Sequence, residues 1–459
     1  MSLIIDAIRN NPADSIALVG DNHSLTYGEL SEKINAYADA LFDVQTLGIA
    51  LDNGIEWVLW DLAAVHANVP SIPIPPFFTQ EQVFHSLQAS GASHLLTSEG
   101  MRSLGGGAKS VLPHGTAKVT FTSGTTGTPK GVCLSQNGME NVAHSLTEIL
   151  DNEYAQKHLS ILPMAVLLEN IAGVYATLLA GGTVYIPSLK TIGFSNPFQP
   201  DFQTLAYYMK TYEITSAILV PELLRGLMAA RVELPDLKFL AVGGSKSSPT
   251  LISSARQCGF PVYEGYGLSE CASVVSLNTP ENDKIGSVGK VLPHIELTEC
   301  DGEITIKNPA FLGYLGQEHD GEFSTGDLGH LDADGYLTID GRKKNVLITS
   351  YGRNISPEWV ESQLLLCPEI AQAIVYGDAE PFLSALIVPM SHDTDLASAI
   401  DRTNATLPEY AHIKNFSPVA PFTVADGTLT GTGRPKREII LSKYQTQKEN
   451  ENELLRSTC

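Results

Sequence analysis

The sequence predicts an α/β fold: a large N-terminal domain of several subdomains with mainly parallel sheets and a small β subdomain, followed by a small α+β C-terminal lid. Three observations predict it. The 459 residues exceed what one hydrophobic core usually supports. Apolar runs recur between helical stretches as far as Gly244, which is how a parallel sheet with crossover helices reads in sequence. Past Gly286 the pattern changes to short strands and Asp-Gly turns.

Residues 24–43, SLTYGELSEKINAYADALFD, carry apolar side chains at helical spacing behind a Ser/Thr start and predict one capped amphipathic helix. LGIAL (47–51), KVTFTS (118–123), HLSILP (158–163), TVYIP (183–187), SAILVP (216–221) and KFLAVGG (238–244) predict buried strands. GEITIKN, GYLGQEHDGEFSTGDLG and LDADGYLTIDG build the β subdomain from short strands and tight turns. From Lys343 a strand, a helix at PEWVESQLLL, and strands at QAIVYG and LSALIVP predict the lid. The expected domains are therefore 1–342 and 343–459, with a polar, solvent-facing tail from Lys443.

With 29 Lys+Arg against 51 Asp+Glu, the formal charge is −22, a field that repels phosphate backbones and excludes nucleic acid as a partner without a basic patch. A nucleotide can still bind where a loop of backbone amides acts locally. Six cysteines (Cys133, Cys258, Cys271, Cys300, Cys367, Cys459) show no CxxC pair and no zinc or disulfide spacing, and are expected to be reduced and mostly buried. MSLIIDAIRNNP has polar and acidic residues and no long apolar run, so neither a signal peptide nor a membrane span is expected. A cytoplasmic protein follows; the oligomeric state stays open.

The strongest motif is Thr122-Ser123-Gly124-Thr125-Thr126-Gly127-Thr128-Pro129-Lys130-Gly131, directly after the strand pattern KVTF. Its glycines let backbone amides wrap a polyphosphate, its hydroxyls add donors, and Lys130 adds charge. It is not a Walker loop, because Pro129 takes the second glycine position and no Ser or Thr follows Lys130. By composition alone it is equally a solvated turn. Glu270 ends the GYGLSE turn, where a carboxylate suits Mg2+ on ATP phosphates. Asp327, in Thr-Gly-Asp, sits where a carboxylate accepts two hydroxyls.

This loop, with YEGYGLSE (263–270), FSTGDLG (323–329) and GRKKNVLITSYGRNISPEWVE (341–361) in that order, resembles the adenylate-forming superfamily over nearly the whole chain. That superfamily comprises acyl-CoA synthetases, peptide-synthetase adenylation domains and luciferases, and the long-chain acyl-CoA synthetases are most similar. The resemblance implies that a carboxylic acid attacks the α-phosphorus of ATP to give acyl-AMP and pyrophosphate, and that a thiol, most simply coenzyme A, then takes the acyl group. It assigns Glu270 and Thr126 to the metal and Tyr266 to the adenine. Glu264, Gly265, Gly267 and Ser269 go to the same nucleotide turn, and Gly243, Gly244 and Ser245 to the wall between nucleotide and acyl pocket. Asp327 and Arg342 go to the ribose, and Lys344 to a hinge about which the lid rotates.

The chain also departs from the family. Where family members carry a lysine in a stretch like LTPTGK, Leu429-Thr-Gly-Thr-Gly-Arg-Pro-Lys-Arg437 places Arg434, with Lys436 the alternative if the register slips by two. Val166 stands where long-chain enzymes have a pocket histidine, and Tyr351 precedes Gly352 where they often have two glycines beside the thiol path. The region between Leu41 and the phosphate loop is short for the family. The acid is expected to be fatty or otherwise apolar. The acceptor readings are CoA, an acyl carrier protein or an amine, and a further reading is a nucleotide- or acyl-binding pseudoenzyme, supported by Arg434 and Val166.

Overall fold

The computed structural model describes residues 2–105, 112–122, 129–194, 200–307, 309–351, 353–391, 393–430 and 433–445. The chain divides into two compact units: the first holds the residues up to Ile339 other than 123–128 and 326–328, and the second holds those two stretches and everything from Asp340 on.

Two large sheets organise the first unit. The nine-stranded sheet runs, in spatial order, Lys290–Val291, Ser276–Leu277, Val262–Tyr266, Phe239–Val242, Ser216–Leu219, Lys157–Leu159, Thr183–Tyr185, Ile16–Val19 and Ser24–Thr26. From Val262–Tyr266 through Ile16–Val19 its neighbours are parallel. The eight-stranded sheet runs Gln317–Glu318, Phe311–Tyr314, Lys130–Ser135, Thr116–Thr122, Ser71–Pro73, Leu47–Ile49, His94–Thr97 and Gly100–Ser103. Its middle is parallel, and its Thr116–Thr122/Lys130–Ser135 pair is an antiparallel hairpin. The expected α/β class with mainly parallel sheets is thus realised.

One continuous apolar cluster includes Leu18 and Val184 from the first sheet, Leu47, Ile49, Val132 and Leu134 from the second, and residues of the helices Leu3–Asn10, Tyr27–Asp39, Ile55–Ala67 and Gln136–Ile149. Trp57 and Leu62 of Ile55–Ala67 are fully buried, as is Asp61 of the same helix. Such a helix belongs inside, between layers, and its buried carboxylate needs partners. A small four-stranded sheet follows, in the order Glu296–Cys300, Glu303–Lys307, Glu322–Leu331 and Leu337–Arg342.

The single helix expected over 24–43 is shorter than the sequence pattern. Ser24–Thr26 pairs antiparallel with Ile16–Val19, so these residues are strand. The helix starts at Tyr27, where Thr26 and Glu29 form a reciprocal capping box, and ends at Asp39. Of the five described cysteines, Cys133, Cys271 and Cys367 are buried, in line with the expectation, and Cys258 and Cys300 are exposed. Cys459 lies outside the described residues.

The second unit contains a helix Pro357–Leu364, a sheet of Ile370–Tyr376, Leu383–Pro389 and Ile413–Pro418, and a helix Leu396–Asn404, around its own core of residues such as Val360, Val375, Ile387 and Ile400. No helix among the described residues is long and apolar enough to cross a membrane.

Candidate active site

In the first unit, Thr122 and Lys130 face each other across the antiparallel hairpin. Between them Ser123, Gly124, Thr125, Thr126 and Gly127, expected to hold phosphates, lie outside the described residues. Lys130 is exposed, and its Nζ stands 5.6 Å from the centroid of the Tyr314 ring. The Tyr314 hydroxyl donates to Glu270 Oε1 at 2.8 Å. Each residue comes from a different element: Lys130 from the hairpin, Tyr314 from the strand beside it, and Glu270 from a one-turn 3₁₀ helix, Ser269–Cys271, beyond Val262–Tyr266. An ammonium on the ring face and a carboxylate at the hydroxyl edge give a short row of alternating charge. Tyr314 was not singled out from sequence; 44 residues separate it from Glu270, and only its place in FLGY beside a glycine turn marked it.

The turn leading to Glu270 is tightly built. A Cβ at Gly267 would overlap the Ser273 carbonyl, so only glycine fits. Ala272 and Ser273 hold positive φ values of 52° and 95°, the second well outside the preferred left-handed region for a side-chain-bearing residue. This backbone fixes Ser269 and Glu270 at the tip. Tyr266 and Leu268 pack, partly buried, against an apolar cluster of Cys271, Val275, Ile304, Ile306 and Leu337.

The strand Phe239–Val242 ends beside this turn, and a Cβ on Gly243 would lie 3.4 Å from the Gly265 carbonyl oxygen. Gly244 has φ +89° and Ser245 is exposed. Glu264, expected among the nucleotide contacts, is buried, and its Oε1 accepts from the Ser247 amide at 2.9 Å. Desolvation pushes its pKa up to about 7, against the opposing pull of the Ser247 N–H and the Lys246 charge. The alternating face of the strand turns Glu264 inward, where it braces the neighbouring turn.

Val166 is half-buried in the segment between Lys157–Leu159 and the π-helix Glu169–Tyr175. Its amide donates to Pro163 O at 2.8 Å, which closes a turn.

In the second unit, Arg342 Nε lies 2.8 Å from Asp327 Oδ1, with the arginine side chain 40% exposed and the aspartate 6%. A carboxylate already neutralised by a guanidinium suits hydroxyl donors better than a bare cation. Lys344 sits in the 3₁₀ turn Lys343–Asn345, and Tyr351 is 77% exposed. Gly352 lies outside the described residues.

Arg434 and Lys436 belong to a tight turn whose register is fixed several times over. Thr430 N donates to Arg434 O at 2.7 Å, Arg434 N to Thr430 Oγ1 at 2.9 Å, and Lys436 N to Thr428 O at 2.8 Å. Arg437 then makes a bidentate pair with Glu361 at 2.7 and 2.8 Å and donates to Val375 O. A two-residue slip would break all of these bonds. Arg434 is exposed and Lys436 half-buried.

Among the described residues no group of three or more His, Cys, Asp or Glu could hold a metal by itself. A lone carboxylate is what a Mg2+ arriving on nucleotide phosphates needs, since that ion keeps most of its coordination to phosphate and water. Glu270, steadied by Tyr314, fits that requirement.

A family model described as AMP-binding enzyme matches residues 5–112 and 106–322. A long-chain-fatty-acid–CoA ligase of Mycobacterium bovis is 35% identical over 244 residues, a stretch covering 45% of this chain and 40% of that enzyme. The chain thus matches less than half the length of that relative. A 2-succinylbenzoate–CoA ligase of Staphylococcus epidermidis is 26% identical over 474 residues, covering 95% of this chain and 96% of that one. Among solved structures, the o-succinylbenzoate CoA synthetase of Bacillus subtilis in complex with its acyl-adenylate has a TM-score of 0.79 at 23% identity, covering 95% of this chain and 97% of that one.

Proposed function

The chain belongs to the AMP-binding enzyme family, and from that premise we propose that it is an AMP-forming acid–thiol ligase. It activates a fatty or otherwise apolar carboxylic acid with ATP and passes the acyl group to coenzyme A. The observation that carries this reading is the row Lys130–Tyr314–Glu270, in which Lys130 is the lysine of the motif TSGTTGTPKG that resembles the family's phosphate loop. In the first step an acid oxygen bonds to the α-phosphorus and the bond to the β-phosphate oxygen breaks, releasing pyrophosphate. In the second a thiolate sulfur bonds to the acyl carbon and AMP leaves with the electron pair of the broken C–O bond.

The protein's part is electrostatic. Lys130 neutralises charge gathering on the phosphates, and Glu270 with Thr126 would hold Mg2+, which supplies further neutralisation. Tyr266 packs on the adenine, beside a turn formed by Gly265, Gly267 and Ser269. Asp327 accepts the ribose hydroxyls while Arg342 balances its charge, and Lys344 serves as the hinge between the two chemical steps. Gly243, Gly244 and Ser245 separate nucleotide from acid. Val166 presents an aliphatic surface to the acid, which supports an apolar substrate, as does the likeness to a fatty-acid ligase.

Arg434 supplies the charge that a lysine supplies in the rest of the family, and the fixed register of its turn favours it over Lys436. Arg434→Ala should slow acyl-AMP formation on the order of a hundredfold while sparing thioester formation from preformed acyl-AMP. The same pattern from Lys436→Ala would transfer the role. AMP release measured with CoA, an acyl carrier protein and an amine identifies the acceptor: stimulation by CoA supports the ligase reading, and stimulation only by a carrier or amine replaces its second half.

A further inference from the structure

The segment Leu162–Val166, ahead of the helical turn that leads into the π-helix, is largely buried and outside any strand or helix, so its buried backbone groups need partners. Two buried side chains supply them. Asn53 donates through Nδ2 to Leu162 O at 2.9 Å and accepts from Met164 N at 2.8 Å. Glu169 accepts from Leu162 N through Oε2 at 3.0 Å. Three backbone groups within three residues are thereby fixed, and the turn carrying Val166 grows from them.

Glu169 is also the first residue of the π-helix Glu169–Tyr175, and its second oxygen lies 2.9 Å from His158 Nε2. His158 Nδ1 in turn lies 3.0 Å from Ser216 Oγ, so this side of the clamp is rooted in two strands of the nine-stranded sheet. A Cβ at Gly173 would collide with both the Glu169 carboxylate and the His158 ring. The next residue, Asn170, bonds in the other direction: it accepts from Lys118 Nζ and donates to Asp61 Oδ2 at 3.0 Å. Tyr175 closes the helix with a 2.8 Å bond to the same oxygen. Lys118 belongs to the strand Thr116–Thr122 of the other sheet.

Buried ionic and polar groups add little stability over an apolar core of the same volume in many proteins, and what a fully bonded set of them does supply is a fixed geometry. π-Helical turns inside folded proteins also concentrate at functional sites. We infer that Asn53 and Glu169 are positioning residues for acid selectivity: they hold Leu162–Val166 as a fixed wall, and the π-helix ties that wall to both sheets. The inference rests on the reading of Val166 as part of the acid pocket.

The test is acid-dependent exchange of pyrophosphate into ATP over a panel of acids of rising chain length, with thermal melting in parallel. Asn53→Ala leaves Leu162 O and Met164 N without partners. It should raise KM for the preferred acid about tenfold or more and change the rank order of the acids, with KM for ATP within about twofold of wild type. Glu169→Gln, which keeps one acceptor oxygen, should move the same quantities the same way by less, and it carries the test if Asn53→Ala does not fold. A lowered melting temperature with unchanged acid KM and rank order overturns the inference alone. A wild type that exchanges pyrophosphate with no acid overturns the functional reading, and this inference with it.

Discussion

Lys118 and Lys130 stand on the two strands of one hairpin and meet opposite environments. Lys118 is wholly buried, its ammonium bonded to both oxygens of Asp61 at 2.7 and 2.9 Å and flanked by the rings of Trp57 and Tyr175. Burial drives its pKa down by disfavouring the charge, and Asp61 pulls it back. Lys130 stands exposed, above the Tyr314 ring. A lysine whose donors are used inside the protein can only hold structure, whereas one at the rim can meet an incoming anion. The contrast separates the scaffold of this site from its chemistry within one supersecondary unit.

Three variants break or sharpen that contrast. Lys118→Met has the largest expected effect. It leaves the Asp61 carboxylate buried and unpaired, which should lower unfolding free energy by about 3–5 kcal/mol in denaturant titration, and adding Asp61→Leu should recover most of the loss. A neutral single variant would mean that the ion pair does not hold the strand. Lys130→Ala should do the reverse: acyl-adenylate formation falls roughly 10²–10³-fold while the denaturation midpoint stays put. A loss of stability of matching size would make Lys130 structural, like its neighbour.

Glu264 is the third case, buried like Lys118 and accepting from the Ser247 amide. Its folded pKa of about 7 lies above the ordinary 4.5, so the stability it contributes is fully present below pH 4.5 and lost as pH rises through 7. At one pKa unit per ~1.4 kcal/mol, the loss reaches at most about 3.5 kcal/mol. Glu264→Gln should therefore gain stability over wild type at pH 8 and not at pH 4, measured by urea unfolding at both. Equal stability at both pH values would show that the carboxylate is not desolvated as its burial implies.

The parts of this molecule legible in the sequence are those governed by local pattern. The strands at Thr116–Thr122, Ser216–Leu219 and Phe239–Val242 announced themselves as apolar runs, because both faces of a parallel sheet are covered. The glycine-bounded turn before Glu270 was legible for a similar reason: Gly267 occupies a position no side chain can take. What escaped depends on contacts far apart in the chain. Ser24–Thr26 looks like the start of a helix until Ile16–Val19 pairs with it. Lys118 reads as an ordinary polar residue in KVTF, and nothing local reveals that Asp61, 57 residues earlier, awaits it in the core. Tyr314 and Asn53 escaped because their partners are equally remote, and strand alternation alone does not say that the Glu264 side chain is on the covered face.

The most direct test of the central claim is exchange of labelled pyrophosphate into ATP by the intact chain, with and without carboxylic acid. The account predicts exchange that requires an acid, is strongest with an apolar one, and falls by two orders of magnitude or more in Lys130→Ala. ATP binding with no exchange on any acid would contradict it and leave a nucleotide-binding protein without the ligase reaction.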